Sequence, residues 1–502
     1  MIRRKPFGLV LAFSLLPISL GYADVTLPAI FSDHMVLQQD RELPVWGWAE
    51  PGEEVRVEIA GQTKTVKAGE DGSWSLKLDS LKPGKPTKMK VVGNNQITID
   101  DVLVGEVWLG SGQSNMAMTV NRANDFADEQ KKAELPSIRM FKEVSGSSPT
   151  PTKVGKGEWQ VCSPETVGGF SATLFFFGRE IHSDLDLPVG LINSSVGGTP
   201  IEAWIDADVQ RAHPDLKPFF AATESRKTVD SETQQANYER ALARYQAEAK
   251  KAKAEGKPLP KKPRDPASVQ ARKGNVGGLF NGKIAPLIPY AIRGAIWYQG
   301  EANSTPSKAP FYQYQLPLLV QDWRKRWGDD LPFAWAQLPN YSGNGRDWPT
   351  VREAMLKTLS VPNTGMGINI DIGDSKDIHP KNKQEVGRRL SLWALGTVYE
   401  QEVAAVSGPL PDGHEIQGEK VVVHFKHAEG LESSGGPIVG FEITADGEQW
   451  VPAKAVIDGE SVVVSSPDID QPTAVRYAWT NDPETNLFNG AGLPATPFRT
   501  LP

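Results

Sequence analysis

A chain of 502 residues has room for two to four domains at roughly 150 residues apiece, and 39% hydrophobic with 23% charged side chains is the make-up of an ordinary soluble globular protein. The formal net charge of −7 argues against nucleic acid or an anionic membrane as the main partner. A single cysteine, Cys162, excludes an internal disulfide, so the fold rests on its core.

The chain opens on Met1-Ile2-Arg3-Arg4-Lys5, runs apolar over residues 7–20 and then reads Gly21-Tyr22-Ala23. A basic stretch, a short apolar run and small residues at a cleavage site predict a signal peptide over residues 1–23. The alternative is a membrane anchor, but the run is shorter than the roughly 20 residues a bilayer span needs. Export with cleavage after Ala23, and with it a periplasmic or secreted bacterial protein that is not inserted in a membrane, is the expectation. Val161-Cys162-Ser163-Pro164 offers no nearby base, so Cys162 reads as an idle or buried thiol rather than a nucleophile.

Residues 24–101 show short strands between turn residues. Residues 55–59 and 74–78 alternate with period two, punctuated by Gly61-Gln62, Glu70-Asp71-Gly72 and Lys82-Pro83-Gly84. This predicts an N-terminal β-sandwich. Trp46, Trp48 and Trp74 fit its core better than a sugar-stacking face.

From residue 102 to about 402 the pattern changes to near-continuous apolar strands at 102–109, 189–194, 292–298, 332–337 and 366–372, separated by stretches long enough for helices. That is the sequence form of a parallel sheet covered on both faces, whose ligands bind at the carboxyl ends of the strands. Residues 207–276 read as an insertion, with an exposed helix at 231–254 and an irregular Lys- and Pro-rich loop at 256–266. The basic run at 250–253 reads as a solvated helix face. After residue 403 the strand pattern returns at 420–425, 438–443, 461–465 and 474–479. These form either a C-terminal β-domain over 403–502 or the missing strands of the first sandwich.

The chemistry-bearing residues follow the strand ends. After 102–109 comes Gly110-Ser111-Gly112-Gln113-Ser114-Asn115-Met116, a glycine-rich turn that presents Ser114; Met116 stands where a Gly-x-Ser-x-Gly elbow has its second glycine. After 189–194 comes Gly197-Gly198-Thr199-Pro200-Ile201-Glu202-Ala203-Trp204, whose paired glycines can offer N–H groups to an anion. After 292–298 comes Gln299-Gly300-Glu301-Ala302-Asn303, and after 366–372 comes Asp374-Ser375-Lys376-Asp377-Ile378-His379-Pro380. Val386, Leu390 and Trp393 then recur at helical spacing. A serine needs a base, and imidazole suits that task. The imidazole needs a carboxylate, and the oxyanion needs fixed donors. Ser114, His379, an acid, the glycine amides and Asn303 fill those roles.

Taken together, these motifs resemble the SGNH hydrolases and, within them, the sialate O-acetylesterase-like carbohydrate esterases. The match spans residues 110–383, from Gly112-Gln113-Ser114-Asn115-Met116 to the Asp377-Ile378-His379-Pro380-Lys381-Asn382-Lys383 run. The resemblance implies a flavodoxin-like α/β domain flanked by β-sandwich domains. It implies Ser114 as nucleophile, His379 as base, and oxyanion donors from Ser114, a glycine of the Gly197/Gly198 pair and Asn303. Many SGNH enzymes carry an aspartate three residues before the histidine, where this chain has Lys376. Asp377 is the first choice of acid, Glu301 the second and Asp374 the third, although Asp377 could instead cap the next helix. Gln113, Gln299 and Glu301 are candidate substrate-contacting groups. The implied substrate is an acetylated carbohydrate, either a 9-O-acetylated sialic acid or an acetylated hemicellulose such as xylan or xyloglucan.

No metal-ligand spacing, phosphate loop or dinucleotide fingerprint stands in the right context, so neither metal nor cofactor is expected. A glycosidase with Glu301 and Asp377 as its carboxylate pair leaves Ser114 and His379 without a task. A non-catalytic carbohydrate-binding protein leaves the central third unexplained.

Overall fold

In a computed structural model, residues 24–256, 258–263, 265 and 275–500 are described. The predicted signal peptide lies outside the described residues, as does part of the 256–266 loop.

The N-terminal strands are β1 (Val36–Gln38), β2 (Leu43–Trp48), β3 (Glu54–Ile59), β4 (Gln62–Lys67), β5 (Ser73–Leu78), β6 (Thr87–Val92) and β7 (Gln96–Gly112). The antiparallel pairs are β3–β4, β3–β6, β6–β7 and β2–β5. Alternate residues point inward, so Val55, Val57, Met89 and Val91 are buried. Trp74 is buried, and Trp46 packs edge-on against Phe31 at 4.8 Å between ring centroids. At these two positions the core reading of the tryptophans holds.

Strand β7 runs without a break through the change of pattern at residues 101/102. Its pairing with β6 slips between Thr87 and Met89, and Asp101 sits at φ 55°. That bulge bends the strand, and Asp101 is held there by His34 Nδ1 at 2.7 Å and Arg139 at 3.1 Å. Beyond it, the same strand becomes the centre of the parallel sheet.

That sheet continues with β8 (Leu135–Glu143), β9 (Gly157–Cys162), β10 (Val189–Ser195), β11 (Gly294–Tyr298), β12 (Phe333–Ala336) and β13 (Thr364–Gly367), in the order β13-β12-β11-β7-β10-β8-β9. All neighbours are parallel except β8 and β9. The run β10-β7-β11-β12-β13 is the flavodoxin-like order 2-1-3-4-5, with β8 and β9 added at one edge. The α/β expectation is met, and the order changes direction at β7 and β11, where such folds bind ligands.

Both faces are covered, which accounts for the unbroken apolar strands. Trp297 and Trp335 pack with helices Tyr312–Trp327 and Trp348–Thr358, while Ile296, Tyr298 and Ala336 pack with helices Ala172–Leu185 and Lys383–Trp393. The N-terminal strands share the first of these cores. Strands after residue 409 pair with one another in separate sheets and bury a core of their own around Val423, Phe425, Val464 and Phe498. An Arg499–Glu353 ion pair at 2.9 Å ties this C-terminal region to helix Trp348–Thr358.

The exposed helix of the insertion starts earlier than the composition predicts, at Lys217, and ends at Ala254. Its first turns dock through Phe219 and Phe220. Cys162 is buried at the end of β9, where burial pushes its thiol up to about 12, so it is inert as a nucleophile. Among the described residues, no helix is long and apolar enough to cross a membrane.

Candidate active site

Strand β7 ends at Gly112, whose φ is +133° and where a Cβ would lie 2.2 Å from the Tyr298 carbonyl. Glycine is required there for the turn that presents Ser114. A short helix, Ser114–Ala117, follows. The turn is clamped by the next layer: Ser171 Oγ donates to Met116 O at 2.6 Å, and Thr173 Oγ1 to Asn115 O at 3.2 Å.

Ser114 Oγ and His379 Nε2 lie 2.8 Å apart. Two residues 265 positions apart in sequence are thus brought to hydrogen-bond distance by the ends of β7 and of the segment after β13. Burial pulls the His379 pKa below its ordinary value, partly opposed by the Asp377 charge. The imidazole is therefore neutral near pH 7, as a proton acceptor must be.

Asp377 Oδ1 is 3.6 Å from His379 Nδ1, longer than a hydrogen bond, and accepts the His379 backbone N–H at 2.9 Å. It does not cap the following helix; Asn382 does, accepting from Glu385 N. Asp374 is exposed and reaches the backbone N–H groups of Lys376 and Asp377 at 2.8 and 3.1 Å, so it shapes the loop rather than meeting the imidazole. Glu301 is only 2% exposed and turns to Asn115 Nδ2 at 2.6 Å, not to His379. Burial raises its pKa.

Gly197 lies against Ser114: a methyl group added there would sit 3.5 Å from Ser114 Cβ. Among the described residues, neither the Ser114 nor the Gly197 backbone N–H has a protein acceptor, which leaves two donors beside the serine. Gly198 takes the left-handed turn position at φ 73° and is exposed.

Asn303 departs from its expected place. It is fully buried; its Nδ2 donates to Glu202 Oε2 at 2.8 Å and Gln315 Oε1 at 3.5 Å, while its Oδ1 accepts from Ile201 N. It braces the Gly-Gly segment, and its Nδ2 is directed at Glu202 and, at the outer limit of a hydrogen bond, at Gln315. Gln113 and Gln299 are also corrected from substrate contacts to buried struts. Gln299 Nε2 donates to Asn303 Oδ1 at 2.7 Å, and Gln113 Oε1 accepts from Ala302 N at 3.1 Å and Gln299 Nε2 at 3.3 Å.

Two residues inside the quoted motifs carry more than sequence reasoning gave them. Asn115 and Lys383 are fully buried beneath the serine and bonded to each other at 2.7 Å. Asn-Met after the serine and the Lys-Asn-Lys after the histidine were the only signals. Among the described residues, no group of three or more His, Cys, Asp or Glu side chains comes together as metal ligands.

Residues 104–256 and 282–394 match the carbohydrate esterase family described as sialic acid-specific acetylesterase. The chain belongs to that family. A carbohydrate acetylesterase from Xanthomonas citri shares its fold with a TM-score of 0.81 at 34% identity, over 95% of this chain and all of that one. Sialate O-acetylesterases from Rattus norvegicus and Homo sapiens are 26% and 27% identical, over 99% and 93% of this chain and 98% and 91% of theirs. This family member is a carboxylic ester hydrolase.

Proposed function

We propose that the chain is an exported carbohydrate O-acetylesterase that works through a serine acyl-enzyme, with O-acetylated sialic acid as its substrate. The observation that carries the mechanism is the 2.8 Å contact between Ser114 Oγ and His379 Nε2 at the switch point of the sheet. Ser114 Oγ attacks the acetyl carbonyl while His379 Nε2 takes its proton. The tetrahedral oxyanion is met by the Ser114 and Gly197 N–H groups, each such donor contributing about 2.7–4 kcal/mol. Collapse returns the proton from His379 to the leaving sugar oxygen, and the C–O bond to the sugar breaks. Water, deprotonated by His379, then attacks acetyl-Ser114; the acetyl C–Oγ bond breaks, His379 returns the proton to Ser114 Oγ, and acetate leaves. Asp377, close to Nδ1, steadies the imidazolium. Export rests on the basic–apolar–small pattern of residues 1–23.

A second substrate reading is acetylated hemicellulose. The Xanthomonas citri enzyme, which is more identical to this chain than the mammalian sialate esterases are, is named as a carbohydrate acetylesterase without a sialic acid, and so accommodates that reading. Acetate release measured side by side on 9-O-acetylated sialic acid and on acetylated xylan and xyloglucan decides between them, with Ser114→Ala as the control. Turnover on the sialic acid, absent in that variant, is the expected result. Turnover confined to the polysaccharides replaces the substrate, and undiminished turnover in Ser114→Ala removes the mechanism.

A further inference from the structure

Beneath the serine, a buried trio joins the two halves of the site and takes no part in the chemistry above it. Asn115, the residue after Ser114, donates through Nδ2 to Glu301 Oε1 at 2.6 Å and to Ile378 O at 3.0 Å. Its Oδ1 accepts from Lys383 Nζ at 2.7 Å. A backbone carbonyl can only accept, so Nδ2 must face Ile378 O and Oδ1 is left to face Lys383 Nζ. The amide has one orientation. Ile378 is in turn the residue before His379. One side chain thus belongs to the nucleophile turn, holds the base loop, and is gripped by an acid at the end of β11 and a cation at the start of helix Lys383–Trp393.

Burying two separate charges is costly, and apolar residues of similar volume commonly serve stability as well or better. Lys383 Nζ gains a further contact over the Tyr298 ring, 5.1 Å from its centroid. Glu301 Oε2 has no partner among the described residues. Burial pulls Lys383 down to about 7 and raises Glu301, and the attraction of Glu301 opposes the fall at Lys383 while that of Lys383 opposes the rise at Glu301. What the costly arrangement delivers is a fixed distance.

We propose that Glu301 and Lys383 are positioning residues which, through Asn115, hold the Ser114 turn and the His379 loop at the separation that sets the Oγ–Nε2 contact. The inference rests on the reading of Ser114 and His379 as nucleophile and base.

The full chain is assayed with an aryl acetate and with a fluorophosphonate that labels an activated serine, in Lys383→Met, Glu301→Leu, which removes the acceptor facing Asn115 Nδ2, and the double variant. Each single change is expected to lower kcat and the labelling rate about tenfold with little change in KM, as a misplaced reacting pair would. The double variant removes both buried charges and regains thermal stability, but its rates stay about tenfold low because Asn115 Oδ1 has lost its donor. The pH profile gives a further readout. The Lys383 cation lowers the proton affinity of His379, beside the opposing effect of Asp377 and the concurring one of Arg122. Lys383→Met is therefore expected to move the acid limb of kcat/KM to higher pH. Rates that recover together with stability in the double variant, or an unmoved limb in Lys383→Met, overturn the inference. Failure of the wild-type chain to be labelled at Ser114 overturns the serine reading itself, whereas normal labelling with indifferent variants overturns the positioning role alone.

Discussion

The histidine loop and the floor under the serine place their carboxylates in opposite settings. Asp377 is the nearer to the imidazole, yet its side chain is 48% exposed and 3.6 Å from Nδ1. Glu301 is 2% exposed and strongly bonded, yet turned away from the imidazole toward Asn115. Burial and proximity to the base, which coincide in a Ser-His-Asp triad with a buried acid, are here divided between two residues. At 3.6 Å two unit charges attract by about 1 kcal/mol in water and about 5 kcal/mol at an effective dielectric near 20. Half exposure puts Asp377 toward the lower figure, and burial of His379 wins over it, since the imidazole pKa falls rather than rises. On the proposed mechanism, the loop carboxylate assists and the floor carboxylate organises.

The sharpest way to break this division is to remove the pair both regions serve. Ser114→Ala and His379→Ala are each expected to lower kcat by about 10⁴–10⁶-fold with an unchanged thermal midpoint, because members of such a unit fail together. A loss in His379→Ala much smaller than in Ser114→Ala would mean that another group accepts the serine proton.

Next in size is Asp377→Asn. A triad amide with a buried acid loses about 10⁴ in kcat, but a screened carboxylate at this distance is expected to cost only about 10–30-fold. A loss near 10⁴ would show that substrate draws Asp377 into full hydrogen-bond contact. The pH profile sharpens the same point. His379 must be neutral to act, and its pKa lies below the ordinary 6.5, so the acid limb of kcat/KM should fall below pH 6.5. Asp377 raises that pKa, so Asp377→Asn should move the limb further down, opposite in sign to the shift expected for Lys383→Met. A limb that moves up in Asp377→Asn would show that the carboxylate does not face the imidazole in the working enzyme.

The difference between the two regions also explains what could be read from the sequence. The parallel strands were legible because burial on both faces leaves continuous apolar runs, and β10, β11 and β12 fall within a residue or two of their expected bounds. Strand β13 ends at Gly367, five residues before the apolar run does, because that run continues as irregular backbone into the site. The edge strands β8 and β9 were missed; their sequence mixes charged and apolar residues and β9 is antiparallel. Ser114 and His379 stood out because each follows a strand with turn residues around it. The fates of Asn303, Gln113 and Gln299 were not legible, since an amide at a strand end reads the same whether its hydrogens face substrate or a neighbouring carbonyl. Lys383 was hidden for a related reason: a lysine at the first turn of a helix is ordinarily solvated, whereas this one is fully buried on a helix whose Gly387 packs closely against Phe176.

The smallest expected effect belongs to Asp374, which tests whether the histidine loop works by shape or by charge. Its Oδ1 accepts from Lys376 N and Asp377 N, fixing the turn that leads to His379, while its side chain meets no cation at ion-pair distance among the described residues. Such a turn needs an acceptor and not an anion, because a backbone N–H is satisfied by an amide oxygen as well as by a carboxylate. Asp374→Asn should therefore keep kcat/KM within about twofold of wild type, the change of charge being screened at an exposed site. Asp374→Ala leaves two N–H groups to water, and exposed bonds of this kind contribute about 0.5–1.5 kcal/mol net. The loop should then be less often in its working form, and kcat/KM should fall by about 3–5-fold, a change of roughly 1 kcal/mol. Thermal stability should barely move, since the loop lies outside the cores of the sheet. Equal losses in Asp374→Asn and Asp374→Ala would show that this third carboxylate acts on His379 through its charge, and the division of labour would then run among three residues instead of two.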